Sequence, residues 1–171
     1  MDAVDRIVEQ WALEMPSLPT RAMATFGRLY RAAAAAGDVM QSVYARFGIT
    51  RGDFDVLATL CRSGAPYQCT PGTLSQTLML TSAGMTGRLD RLEAAGLIRR
   101  SAAATDGRMR LVTLTRAGLT LIESAVAAGV EVQERLLGDL SDTARAHLDR
   151  ILKELLTELD SARLAGPVEQ T

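Results

Sequence analysis

The chain has 171 residues, 47% of them hydrophobic, enough to bury a core as one domain, and its 19 basic and 20 acidic side chains leave a formal charge of −1 with a pI of about 5.9. No apolar run approaches the ~20 residues that cross a bilayer, and Asp2, Asp5 and Glu9 stand where a secretory signal would be basic and then apolar, so a cytoplasmic protein is expected. Two cysteines without CxxC spacing and a single histidine, His147, exclude a disulfide framework and a histidine-rich metal site, and the sequence calls for no cofactor.

In chain order, Asp2–Leu13 carries Ile7, Val8 and Trp11 at helical spacing, and Pro16 and Pro19 then break the pattern. Arg21–Phe47 reads as a long helix through the Ala32–Ala36 run and closes at Gly48. Thr50 reads as the N-cap of a helix over Arg51–Ser63, which stops at Gly64 and Pro66. On that helix Asp55 and Arg62 are seven positions apart and share a face, about 10 Å from each other along the axis. Phe54, Leu57 and Cys61, on the opposite face, are expected to take the core. Taken alone, Arg51, Asp55 and Arg62 are an ordinary solvated stripe that adds little to stability.

Thr70-Pro71 opens a short helix to Leu80, because the threonine oxygen can cap and proline is tolerated at the first helical position. Thr81 or Ser82 caps the next, to Ala94, whose Met85, Leu89 and Leu92 form one apolar stripe and leave Ala83, Gly84, Thr86, Gly87 and Arg91 outward. Gly96 ends it. Leu97–Ser101 and Met109–Leu114 then read as the two strands of a hairpin with Asp106-Gly107 near its tip. Thr115 can cap a helix from Arg116 to about Leu137, and Ser141 one over Asp142–Leu164 with Leu148, Ile151, Leu152, Leu155 and Leu159 in a stripe. The expected fold is mainly α with a small β-hairpin wing, a winged helix-turn-helix. Residues 1–47 supply N-terminal helices, 48–115 the DNA-binding part, 116–165 C-terminal helices and 166–171 a flexible tail. The first and third groups carry apolar stripes with too little local surface to cover them, so a homodimer is expected to bury them.

A net acidic chain argues against a nucleic-acid partner, but its charge is not evenly spread. Between Arg88 and Arg110 six arginines face Asp90, Glu93 and Asp106, giving that window +3 and the remainder −4. A basic face on an acidic body suits reversible binding to one duplex site.

Phe54–Leu60, Thr81–Arg88, Arg91–Ile98 and the run Asp106-x-Arg108-x-x-x-Val112-x-Leu114-Thr115 together resemble the MarR family of winged helix-turn-helix regulators, over nearly the whole chain and in the expected order. The resemblance implies a homodimer joined through terminal helices. It also implies one recognition helix per subunit in successive major grooves of a pseudo-palindromic operator, and a wing arginine in the minor groove. The expected DNA-contacting set is Ser82, Gly84, Thr86, Gly87, Arg88 and Arg91 on the helix and Asp106, Arg108 and Arg110 on the wing. Arg108 can enter a narrow minor groove with Asp106 orienting it, Ser82, Thr86 and Arg91 reach bases or phosphates, and Arg88 is assigned to phosphate. The chain departs from many relatives at Gly87, where a polar residue is common. Glycine allows close backbone approach but reads no base, so recognition is expected to lean on DNA shape.

A narrower resemblance is to the urate-responsive branch of that family. There an extra N-terminal helix supplies a tryptophan, the helix before the DNA-binding pair an aspartate and an arginine, and the strand after the recognition helix a second arginine. The matching positions are Trp11, Asp55, Arg62 and Arg100. The branch implies a small anionic aromatic effector, with Trp11 as an apolar wall and the two arginines as planar forks for an oxyanion or ring carbonyls. Asp55 is then expected to pair with an arginine until the effector takes Arg100, displaces Asp55 and drags the recognition helix through Leu97–Arg100. Two rivals are a thiol sensor using Cys61 and Cys69 and a helical protein–protein adaptor. An enzyme is disfavoured, because the chain has no Ser-His-Asp arrangement, no phosphate-cradling glycine loop and no HExxH.

Overall fold

The computed structural model describes residues 1–102 and 110–164. Among them are seven helices and a three-stranded antiparallel sheet: α1 (Ala3–Glu14), α2 (Arg21–Ala45), α3 (Arg51–Arg62), β1 (Gln68–Cys69), α4 (Pro71–Thr77), α5 (Ser82–Ala94), β2 (Ile98–Ala102), β3 (Arg110–Leu114), α6 (Arg116–Leu137) and α7 (Asp142–Leu164). The chain divides into two compact units, Met1–Val132 and Gln133–Thr171, with the boundary inside α6.

In the first unit α3 is the central strut, because nearly every side of it is covered. Val56, Leu57 and Leu60 are fully buried, and Ala58 and Thr59 join them. This corrects the sequence reading of the helix, which gave the core to Phe54, Leu57 and Cys61: Phe54 and Cys61 are only half-buried and pack at the edge. Phe54 is occupied instead by the ring of Tyr44 on α2, stacked on it at 3.9 Å. The start of α3 is fixed by a capping box. Thr50 Oγ1 accepts from the Asp53 amide at 3.1 Å, and Asp53 Oδ2 accepts from the Thr50 amide at 3.1 Å, satisfying two amides that a helix start leaves without partners.

The sheet has one strand more than the sequence led one to expect. β3 pairs β2 from Ile98↔Leu114 to Ala102↔Arg110, and its other edge takes β1 through Gln68↔Thr113 and Cys69↔Val112. α4 and α5 start as predicted, with Thr70 Oγ1 accepting from Thr73 N and Thr81 Oγ1 from Gly84 N, although α4 ends three residues before Leu80. Gly96 closes α5 in the left-handed region at φ +69°. Just beyond it the chain meets the start of α6. Thr115 N donates to the Leu97 carbonyl at 3.0 Å and Thr115 Oγ1 to that of Gly96 at 2.7 Å, and a Cβ on Gly118 would stand 2.0 Å from the Leu97 oxygen. The wing tip, including Asp106, Gly107 and Arg108, and the tail after Leu164 lie outside the described residues.

In the second unit, Ser141 Oγ caps α7 by accepting from Ala144 N at 3.2 Å. Arg145 donates to the carbonyls of Gly138 and Leu140 and pairs with Glu134 at 2.7 Å, tying the turn between the two helices.

Candidate functional site

α5 presents two unlike faces because its apolar residues recur at helical spacing. Met85, Leu89 and Leu92 are buried, while Ser82, Gly84, Thr86, Gly87 and Arg91 are exposed. The Thr86 hydroxyl donates back to the Ser82 carbonyl at 2.9 Å, leaving its methyl and oxygen lone pairs for a partner. Arg91 reaches the buried Asp53, with Nη2 3.1 Å from Oδ1. Arg88 is turned inward, where Nη1 donates to the Gly52 carbonyl at 3.0 Å, so the guanidinium expected on a phosphate lies against α3. Arg110 is exposed at the foot of β3, opposite Ala102. Asp106 and Arg108, expected at the wing tip, lie outside the described residues.

Arg100 is the most heavily engaged of the expected effector residues. Asp90 and Glu93, three apart on α5, share one face, and the turn at Gly96 brings β2 back alongside it. The guanidinium therefore meets Asp90 Oδ1 at 2.8 Å through Nη1 and Glu93 Oε2 at 2.6 Å through Nη2, while the Arg100 amide donates to Glu93 Oε1 at 2.8 Å. The hydrogen bonds from Arg100 hold the Glu93 carboxyl below its ordinary range. Arg100 also lines a cavity of about 350 Å3 together with Pro71, Thr86, Leu89 and Arg110.

Asp55 stands apart from that cluster. Burial pushes its carboxyl up, opposed by the charges of Arg51, Arg88 and Arg62, and its carboxylate takes no hydrogen bond or ion pair among the described residues. The expected Asp55–arginine pair is thus absent: Arg100 is held by Asp90 and Glu93, and Arg62 donates to Thr59 Oγ1 at 3.0 Å. Trp11 is 37% exposed on α1, a helix fastened to α2 where Arg28 grips Asp2 and Asp5. Of Trp11, Asp55, Arg62 and Arg100, the arginine on β2 alone lines the cavity. The sequence reading missed Asp90, Glu93 and Asp53. The i, i+3 acidic pair beside a following arginine, and the Thr-x-x-Asp cap, were the available signals.

Cys61 and Cys69 are free and half-buried against the core. Among the described residues no group of three or more His, Cys, Asp or Glu side chains is placed to hold a metal ion, and no helix is long and apolar enough to cross a membrane.

The MarR family model matches residues 47–109. The HTH-type transcriptional regulator PecS of Dickeya dadantii (strain 3937) is 36% identical over 149 residues, covering 87% of this chain and 90% of that protein. Among solved structures, a mutant MarR from E. coli complexed with operator DNA superposes with a TM-score of 0.70 at 25% identity, over 82% of this chain and 99% of that one. BpsR of Bordetella bronchiseptica, whose DNA binding is regulated by 6-hydroxynicotinic acid, gives a TM-score of 0.66 at 26% identity, over 75% and 90%. These relatives are transcriptional regulators, not enzymes.

Proposed function

Because the chain belongs to the MarR family of winged-helix transcriptional regulators, we propose that it is a homodimeric repressor released from a pseudo-palindromic operator by a small aromatic anion such as urate or a related purine. In this reading it works in the cytoplasm, α5 enters the major groove, the wing reaches the adjacent minor groove, and residues 1–47 and 116–165 join the two copies.

The observation that carries the effector reading is the Arg100 clasp. A guanidinium on the wall of a cavity is neutralised by two carboxylates of the recognition helix itself. An anion entering the cavity competes for that fork. Once Arg100 turns to the ligand, Asp90 and Glu93 lose their counter-charge on a helix that must lie against phosphates, and repulsion weakens the complex. A coupling of ~1–3 kcal/mol between ligand and operator is enough to change occupancy usefully. That BpsR responds to a heteroaromatic acid supports the ligand class.

A second site within the same reading rests on Asp55, half-buried and unpaired among three arginines, one of which, Arg88, belongs to the recognition helix. Ring N–H groups of a purine could donate to its carboxylate.

The test is fluorescence anisotropy of labelled DNA from immediately upstream of the gene, titrated with urate at fixed salt and pH. Urate should release this protein at concentrations that leave an unrelated DNA-binding protein in place. Arg100→Ala strips the same counter-charge permanently, so it should bind DNA more weakly than wild type, and the binding that remains should ignore urate; an intact response in that variant removes Arg100 from the mechanism.

A further inference from the structure

Among the described arginines of the basic stretch, Arg88 is the one whose position departs most from its expected work. It lies beside the buried stripe of α5, and its Nη1 donates to the carbonyl oxygen of Gly52, thirty-six positions earlier in α3. Gly52 is in the first turn of that helix, and its φ is not positive, so its backbone alone does not demand glycine. Glycine is a poor helix residue, so its presence needs another reason. The geometry supplies one. A Cβ at Gly52 would stand 2.3 Å from Arg88 Nη1, 2.5 Å from Cζ and 2.8 Å from Nη2, so the guanidinium fills the space that a side chain would use. One residue further on, Asp53 holds Arg91 at 3.1 Å. Arg88 and Arg91 are three apart and share a face, so the first turn of α3 grips the recognition helix at two successive positions.

We propose that Arg88 is a positioning residue, not a phosphate contact: it fixes the recognition helix against α3, and Gly52 is the socket that only glycine leaves open. The proposal rests on the DNA-binding reading above, since the pose it fixes matters only when α5 meets a duplex.

Two variants separate the roles. Gly52→Ala keeps every charge in the protein but evicts the guanidinium, which can swing into solvent because it ends a flexible side chain. Arg88→Met keeps the socket and removes the charge. Operator affinity is measured by anisotropy over a salt series, with circular dichroism confirming that each variant is folded. Loss of a charge-assisted hydrogen bond predicts that each single variant binds about tenfold more weakly, with the double variant no weaker than either. The slope of log affinity against log salt should stay at the wild-type value in Arg88→Met. A phosphate-contacting Arg88 would instead flatten that slope by about 0.9 in Arg88→Met, while Gly52→Ala, with its charge kept and freed, would bind at least as well as wild type. That pattern, or additive losses, overturns the proposal. If Arg88→Met does not fold, Gly52→Ala still decides it. If the wild-type protein binds no duplex, the DNA reading fails and the tether is tested by melting: Gly52→Ala should lower Tm in wild type but not in the Arg88→Met background, where no guanidinium is left to evict, and equal changes in both would refute the socket.

Discussion

α3 and α7 are both amphipathic helices, yet they end in opposite conditions. On α3, Leu57 and Leu60 are completely buried and even Asp53 is 5% exposed, because α2, α5 and the sheet close around it. On α7, Leu148, Ile151, Leu152 and Leu159 repeat at the same helical spacing, but Ile151 remains 52% exposed and the others are also open. The lesson is that an apolar stripe states a need for a partner without saying which chain supplies it. For α3 the partner is the rest of its own unit; for α7 a second copy of the chain is the proposed one.

The sharpest way to break that contrast is to charge the open stripe. Ile151→Asp with Leu152→Asp should leave the first unit folded, convert the dimer to a monomer in sedimentation, and weaken operator binding at least about a hundredfold, since two linked half-sites become one. A variant that stays dimeric and binds fully would remove α7 from the interface. A comparable effect, on stability this time, is expected where the closed region is tightest. Gly118→Ala pushes a Cβ to 2.0 Å from the backbone oxygen of Leu97, which cannot swing aside as an arginine can, and should cost about 3 kcal/mol in denaturant unfolding. It should also loosen the end of α5, seen as faster hydrogen exchange at Gly96 and Leu97.

Most of this architecture is written locally in the sequence. Thr50, Thr70, Thr81, Thr115 and Ser141 mark helix starts because each offers an oxygen to an amide that the helix leaves without a partner. The stripe Met85, Leu89 and Leu92 is legible because period alone determines it. What was not legible depends on distant neighbours. β1 is two residues long and exists because β3 has an open edge at Thr113 and Val112. Arg88 sits where a helical wheel allows either face, and the vacancy at Gly52 selects the inner one. Phe54 and Cys61 were misplaced because a one-sided stripe was read onto a helix that is covered from several sides. At the candidate site, Arg100 was singled out through the family pattern; the i, i+3 spacing of Asp90 and Glu93 hinted at a cationic partner, but that the partner is Arg100 depends on β2 folding back along α5.

Arg100 allows a test of function separate from folding. Its ion pairs are partly open to solvent, so Arg100→Ala should move Tm by less than about 3 °C. The same change should abolish release of DNA by an aromatic anion. A large loss of stability would mean that the clasp holds β2 to α5 structurally, and the ligand reading would then have to move to Asp55.

Asp55 gives the smallest expected effect and the clearest sign. Its carboxyl is pushed above the ordinary 3.8 by burial, and the charges of Arg51, Arg88 and Arg62 only partly oppose that. A carboxyl whose pKa is higher in the folded state favours folding when protonated. That contribution is complete below pH 3.8 and is lost as pH rises through the folded value, so at neutral pH the ionised Asp55 works against the fold. Asp55→Asn should therefore melt above wild type at pH 7, and the advantage should shrink to nothing as pH falls below the ordinary carboxylate range. The opposite trend, with Asn less stable at pH 7, would mean that the three arginines outweigh burial and that Asp55 is an ion-pair member after all. The predicted sign carries a functional consequence. A carboxylate kept where it weakens the fold is under-satisfied, and donors on a bound ligand would relieve that cost, so urate should raise Tm more in wild type than in Asp55→Asn.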